Sequence, residues 1–163
     1  MAKNKEEKTN VMRVLEQKKI AYSAHTYPHE EGVAVDGVTV AQSMGFDPAA
    51  VFKTLVARGA SKQYYVFDVP VAENLDLKKA AKAVGEKSIE MIHQKELLPL
   101  TGYVHGGCSP VGMKKLFPTV IDASAENLET MIVSAGKIGY QVELSPRDLA
   151  ALVRAKFADL IVE

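Results

Sequence analysis

The stretch Val51-Phe52-Lys53-Thr54-Leu55-Val56-Ala57-Arg58-Gly59-Ala60-Ser61-Lys62-Gln63-Tyr64-Tyr65-Val66-Phe67-Asp68-Val69 decides how this chain is read. Two runs rich in β-branched and aromatic residues, 51–57 and 64–69, flank the small polar segment 58–62, and that composition predicts a β-hairpin. Each run is broken by one charge. Lys53 sits where a charge is costly unless it faces a partner or a cavity. Period-two alternation puts it on the face of Val51 and Leu55. Asp68 interrupts the second run in the same way. A lysine snorkelling from an exposed face, a Lys53–Asp68 pair across the hairpin and a lysine facing a cavity all fit the pattern.

Outward from the hairpin, Val11, Val14 and Leu15 recur at helical spacing, predicting an amphipathic helix that ends near Lys18 or Lys19. Residues 21–27 read as a strand, followed by a loop marked by Pro28, Glu30 and Glu31. A short helix over 38–44 stops at Gly45, and Asp47-Pro48 supplies a cap and a first-turn proline for a brief helical turn. Beyond the hairpin, Leu77, Ala80, Ala81 and Val84 mark one face of a helix over 75–84 that Gly85 terminates. A further short helix is expected over 93–98, ending before Pro99, and a glycine-rich loop over 102–112. Strands are expected at 119–122, 131–134 and 140–144, and Ser145-Pro146-Arg147-Asp148 opens a helix running to about Ala155. This mixture lacks regular βαβ spacing and calls for a mixed α/β fold with antiparallel and parallel pairing.

The 163 residues, 47% of them hydrophobic, suffice for one domain with a substantial core, and no repeat or linker divides them. With 20 basic and 20 acidic residues, the overall field does not attract a polyanion, so any nucleic-acid contact must be local. The single cysteine, Cys108, excludes an internal disulfide framework or a multi-thiolate zinc site and fits a reducing compartment. No apolar run reaches membrane-spanning length, and the opening MAKNKEEKTN leads into no signal-peptide core. The expectation is a soluble, cytoplasmic protein without membrane contact.

Of the motifs that carry chemistry, the densest is Gly106-Gly107-Cys108-Ser109-Pro110-Val111-Gly112-Met113-Lys114-Lys115. Met113 intervenes where a P-loop needs its lysine, and Val111 stands where a nucleophile elbow around Ser109 needs glycine. What remains is a turn whose amides could closely approach an anionic or carbonyl oxygen, or an ordinary tight loop beside a solvated lysine pair. His25 and His29 are four apart, but Pro28 breaks the helix that a zinc pair would need. Neither a metal nor another cofactor is expected. Cys108 reads as a small buried apolar residue rather than a nucleophile.

Taken in order, Val51-Phe52-Lys53-Thr54-Leu55, the Gly106-Gly107-x-Ser109-Pro110-x-Gly112 loop and Ser134-Ala135-Gly136-Lys137 resemble the YbaK/EbsC family of trans-editing deacylases, which is similar to the editing insertion of bacterial prolyl-tRNA synthetases. His25-Thr26-Tyr27, Leu75-Asp76-Leu77-Lys78-Lys79 and Lys156-Phe157-Ala158-Asp159 extend the resemblance over nearly the whole chain. It implies a six-stranded mixed, barrel-like sheet surrounded by helices. It further implies Lys53 as the essential lysine holding the substrate's terminal nucleotide or carbonyl region, Tyr27 and Thr54 as pocket residues, and Gly106, Gly107, Ser109, Ser134, Ala135 and Gly136 shaping the substrate site. Two departures stand out: Gln141 replaces an aspartate of some members, and Asp36 an aromatic of the enteric branch.

The implied activity is hydrolysis of mischarged aminoacyl-tRNA, with Cys-tRNA(Pro) as the leading substrate, Cys-tRNA(Cys) as a further one, and the substrate's own thiol assisting. Ala-tRNA(Pro) deacylation and a catalytically silent module binding the tRNA end or a nucleotide are the alternatives. Implied partners are the aminoacyl-tRNA acceptor end and prolyl-tRNA synthetase.

Overall fold

The computed structural model describes residues 8–30 and 32–163; the polar opening and Glu31 of the acidic loop lie outside the described residues. The first helix, α1 (Asn10–Gln17), starts where the Thr9 side chain accepts a hydrogen bond from the Met12 amide, and it buries Val11, Met12 and Leu15. Strand β1 (Tyr22–Thr26) follows. Helix α2 (Gly37–Ser43) is capped by Asp36, and a 3-10 turn, Pro48–Ala50, is capped by Asp47.

Strands β2 (Phe52–Gly59) and β3 (Tyr64–Pro70) form the expected hairpin. Helix α3 (Leu77–Val84) runs from the Asp76 cap to Gly85, whose φ of 74° gives the left-handed ending that favours glycine. After β4 (Ile89–Met91) comes α4 (Gln94–Thr101). Strands β5 (Thr119–Asp122), β6 (Met131–Ser134) and β7 (Tyr140–Leu144) then precede α5 (Pro146–Val153) and β8 (Lys156–Ala158). No described helix is long and apolar enough to cross a membrane.

Helix α4 corrects the expected stop before Pro99, because it continues through that proline to Thr101. Proline removes one amide donor, and the carbonyl deprived of it belongs to exposed Lys95, where water can replace the bond. The last turn is secured in other ways: the Thr101 hydroxyl donates to the Leu97 carbonyl at 2.8 Å and the Gly102 amide to the Leu98 carbonyl at 2.9 Å.

The strands make two open sheets. One has the order β1-β7-β6 and is antiparallel throughout; the other has the order β4-β2-β3-β5-β8, with β3-β5 and β5-β8 parallel. Just before β2, Val51 bridges in parallel to Ile132 of β6 and brings the two sheets together. The fold is therefore mixed α/β as expected, but the strand order is not that of a closed barrel. Besides the six anticipated strands, β4 and β8 add one short strand to each edge of the larger sheet.

Hairpin register sorts the two charges. Thr54 lies opposite Asp68, whereas Lys53 lies opposite Val69. On the face of Phe52, Thr54 and Val56, the hairpin packs into the main core with Leu15, Ile121 and Val142. On the other face, Ala57, Tyr65, Phe67 and Val69 pack with Ala80, Ala81 and Leu160. Lys53 and Asp68 thus project to opposite sides of the hairpin, and the pair considered from sequence is not formed.

Candidate active site

At the junction of the two sheets lies a cavity of about 360 Å³, within the range of small-molecule sites. Strand β2 contributes Phe52, Lys53, Thr54 and Leu55 to its wall. The end of β1 leads to Tyr27, whose amide donates to the Gly139 carbonyl at 2.9 Å, fixing the chain beside the β6–β7 turn. Gly106 comes from the glycine-rich loop, Ser134 from the end of β6, and Tyr140 and Gln141 from the start of β7.

Five expected site residues therefore meet: Tyr27, Lys53, Thr54, Gly106 and Ser134. The other four stand off the cavity. Gly107 lies behind the wall, where a Cβ would be 3.1 Å from the Ile138 nitrogen, so it lets the loop press against the β6–β7 turn. Ser109 is fully buried, and its hydroxyl accepts the Val111 amide at 3.2 Å, which braces the loop from inside. Ala135 is fully buried and donates its amide to the Tyr140 carbonyl at 2.9 Å. With Gly136 it lines a separate cleft beside Lys8 and Arg13.

Lys53 is half-buried and makes no hydrogen bond or ion pair of its own among the described residues. Burial lowers the pKa of its ammonium, and the carboxylates of Asp36 and Glu73 counter that effect. Asp36 lines the cavity while accepting the Thr39 amide at 3.1 Å as the cap of α2. Cys108 also lines it, but burial and the neighbouring Asp68 push its thiol up to about 12. It remains a thiol at neutral pH and a poor nucleophile, as the sequence suggested.

The histidine pair is otherwise engaged. His25 Nε2 contacts Glu143 Oε1 at 2.9 Å, and His29 Nδ1 contacts the Tyr27 carbonyl at 3.0 Å. The Ser134 hydroxyl accepts the Gly136 amide at 3.1 Å, which shapes the turn.

Some of this site was not assigned from sequence. Asp36 and Gln141 were recognised as departures from a pattern, without a place in the cavity; His105, Cys108 and Tyr140 were not placed there either. Asp36-Gly37-Val38-Thr39 does carry a helix-cap signal, which points to a fixed carboxylate at the start of α2. Nothing local marks Gln141 as a wall residue, because it reaches the cavity only through the pairing of β7 with β1 and β6.

A partly desolvated cation, a glycine packed closely against Ala34 and hydroxyl-bearing walls meet at this cavity, and no serine–histidine or cysteine–histidine hydrogen bond is found among the described residues. The chain belongs to the aminoacyl-tRNA editing domain family, whose profile matches residues 32–152, and with it to the enzymes that hydrolyse aminoacyl-tRNA. It is 44% identical over 161 residues, 98% of each chain, to EbsC of Enterococcus faecalis, named there as a proposed Cys-tRNA(Pro)/Cys-tRNA(Cys) deacylase. Over 100 residues it is 28% identical to a proline–tRNA ligase of Shouchella clausii, covering 61% of this chain and 17% of that one. A crystal structure described as a proposed trans-editing enzyme for prolyl-tRNA synthetase superposes with a TM-score of 0.79 and 26% identity, covering 94% of this chain and 95% of the other.

Proposed function

We propose that the chain hydrolyses Cys-tRNA(Pro) in trans in the cytoplasm, with Cys-tRNA(Cys) as a further substrate and with Lys53 anchoring the acceptor end. The observation that carries this reading is the half-buried Lys53 ammonium on the cavity wall, without an ion-pair partner among the described residues. A desolvated cation of this kind suits a phosphate or the carbonyl oxygen of an ester, both of which gain negative charge or already carry it. The extensive identity to EbsC supports cysteine as the amino acid.

An aminoacyl ester is already reactive, so orientation and charge stabilisation suffice without a protein nucleophile. In the proposed reaction the cysteinyl sulfur attacks its own ester carbonyl, the tRNA 3′-oxygen leaves with the thiol proton, and water opens the resulting thiolactone to free cysteine. Lys53 orients the carbonyl and stabilises the oxyanion. The balanced net charge leaves tRNA selection to a bound partner, for which prolyl-tRNA synthetase is the proposal.

The test is deacylation of Cys-tRNA(Pro), Ala-tRNA(Pro) and Pro-tRNA(Pro) by wild type and Lys53→Ala. Cysteinyl turnover that is lost in the variant is expected; alanyl preference would reassign the substrate, and turnover of none would leave a silent binding module. An S-methylcysteinyl ester, run with a size-matched control, tests the participation of the thiol.

A further inference from the structure

One buried charge has no place in that chemistry. Asp68 is fully buried, and the register pairs flanking it on the same face, Phe52 with Pro70 and Val56 with Val66, are apolar. Thr54 Oγ1 donates to Asp68 Oδ1 at 2.5 Å, while Asp68 Oδ2 has no hydrogen-bond partner among the described residues. A buried carboxylate with one neutral partner is destabilising relative to an apolar pair of the same shape. Thr54 lines the cavity; Asp68 stands behind it.

A threonine hydroxyl has one proton to donate and two lone pairs with which to accept. Because the Thr54 proton is directed at Asp68, the oxygen is left as an acceptor. Gln141 also lines the cavity, but its Oε1 is closed off from that space and has no partner among the described residues. On the wall itself, the Thr54 oxygen with a carboxylate behind it suits a cationic N–H donor. An aminoacyl ester carries one such group, its α-ammonium, and Lys53 would repel it. Lys53 and this acceptor wall therefore impose a direction on the substrate.

Resting on the deacylase reading above, we infer that Asp68 is a positioning residue: by taking the Thr54 proton it makes Thr54 an acceptor for the α-ammonium of the bound aminoacyl group.

The experiment compares kcat/KM for Cys-tRNA(Pro) with that for the same tRNA carrying 3-mercaptopropionate, which is cysteine without its amino group. Wild type, Thr54→Val, Thr54→Ser, Asp68→Asn and the Thr54→Val/Asp68→Asn double variant are measured at pH 8, where Asp68 has lost the proton that it keeps in the fold up to about 7. Intrinsic ester reactivity cancels when the preference for the amino substrate is compared between proteins. That preference should fall about tenfold in Thr54→Val, fall less in Asp68→Asn, whose amide oxygen still takes the Thr54 proton but brings no charge, in both cases mainly through KM, and survive in Thr54→Ser. The double variant should be no worse than the poorer single one, since coupled residues give non-additive effects. Asp68→Asn removes a buried charge at constant shape, so folding is retained, and thermal unfolding checks this. An unchanged preference in both single variants, or additive losses, overturns the role of Asp68 while leaving the deacylase reading intact. Failure of wild type to hydrolyse either ester removes that reading and this inference together.

Discussion

The two faces of the β2–β3 hairpin each receive one charge into an apolar surface and treat it in opposite ways. On one face Lys53 is only partly buried, opens onto the cavity and senses the carboxylates of Asp36 and Glu73 at a distance. On the other, Asp68 is sealed in the main core, holds Thr54, and is pushed up to about 7 by its burial, which the Thr54 hydrogen bond only partly opposes. Exposure lets the lysine remain available to a ligand. Complete burial makes the carboxylate act through its neighbour and turns it into a stability liability that varies with pH.

That liability should produce the largest effect. In the folded protein Asp68 keeps its proton up to about pH 7, whereas in the unfolded chain it releases it near 3.8. Between those values the folded state binds more protons, so stability falls as pH rises, by about 1.4 kcal/mol per pH unit, and levels off above 7. Across the window the loss approaches about 4 kcal/mol on this scale. Urea unfolding from pH 4 to 8 should show a steeper decline for wild type than for Asp68→Asn. Parallel curves would mean that Asp68 is ionised in the fold at the same pH as in the unfolded chain, and the contrast between the faces would disappear.

Lys53→Ala probes the other face. Cysteinyl-tRNA deacylation should drop about 100-fold in kcat/KM, equivalent to about 2.7 kcal/mol of transition-state stabilisation, with little change in melting temperature because the ammonium has no ion pair to lose among the described residues. A large fall in stability instead would make Lys53 a structural residue like its counterpart behind Thr54.

Why the contrast was hidden in the sequence follows from strand geometry. Both charges were visible as interruptions, but whether Lys53 and Asp68 share a face depends on the register, and a shift of one residue reverses every side chain. The register comes from the turn, where the Gly59 amide donates to the Gln63 carbonyl at 2.8 Å and Lys62 adopts a φ of 78°, a conformation that no glycine announces. Strands with four or more residues showed their composition. The three-residue β4 and β8 did not, because so short a segment has no measurable period and pairs only along one edge. Lys53, Thr54, Tyr27, Gly106 and Ser134 were found through family resemblance. Gln141, Asp36 and Cys108 join them only because long-range pairing folds three distant segments onto the same cavity.

A smaller effect than that of Lys53→Ala is expected at the glycine-rich loop that also lines the cavity. Gly106 has a φ of 90°, and a Cβ there would lie 2.7 Å from the Ala34 Cβ. Gly106→Ala should cost about 1–3 kcal/mol through backbone strain and, by displacing the Ala34 segment that shares the cavity wall, lower kcat/KM about tenfold, roughly 1.4 kcal/mol. Unaltered activity would show that this wall takes no part in holding the substrate.

The smallest effect belongs to Cys108, which lies beside Asp68 and on the cavity, where a cysteine invites a nucleophilic role. A thiol held at about 12 has almost no thiolate at neutral pH, and attack on the ester would have to begin from that fraction. Cys108→Ala should therefore keep deacylation within about twofold, equivalent to roughly 0.4 kcal/mol, with a stability loss of about 1 kcal/mol for the missing sulfur contacts. Iodoacetamide should leave the folded protein active for the same reason. Removing this sulfur while the substrate keeps its own separates the two thiols: a collapse in rate would transfer the nucleophile from the cysteinyl group to the protein and would give the buried face the chemistry now assigned to the substrate.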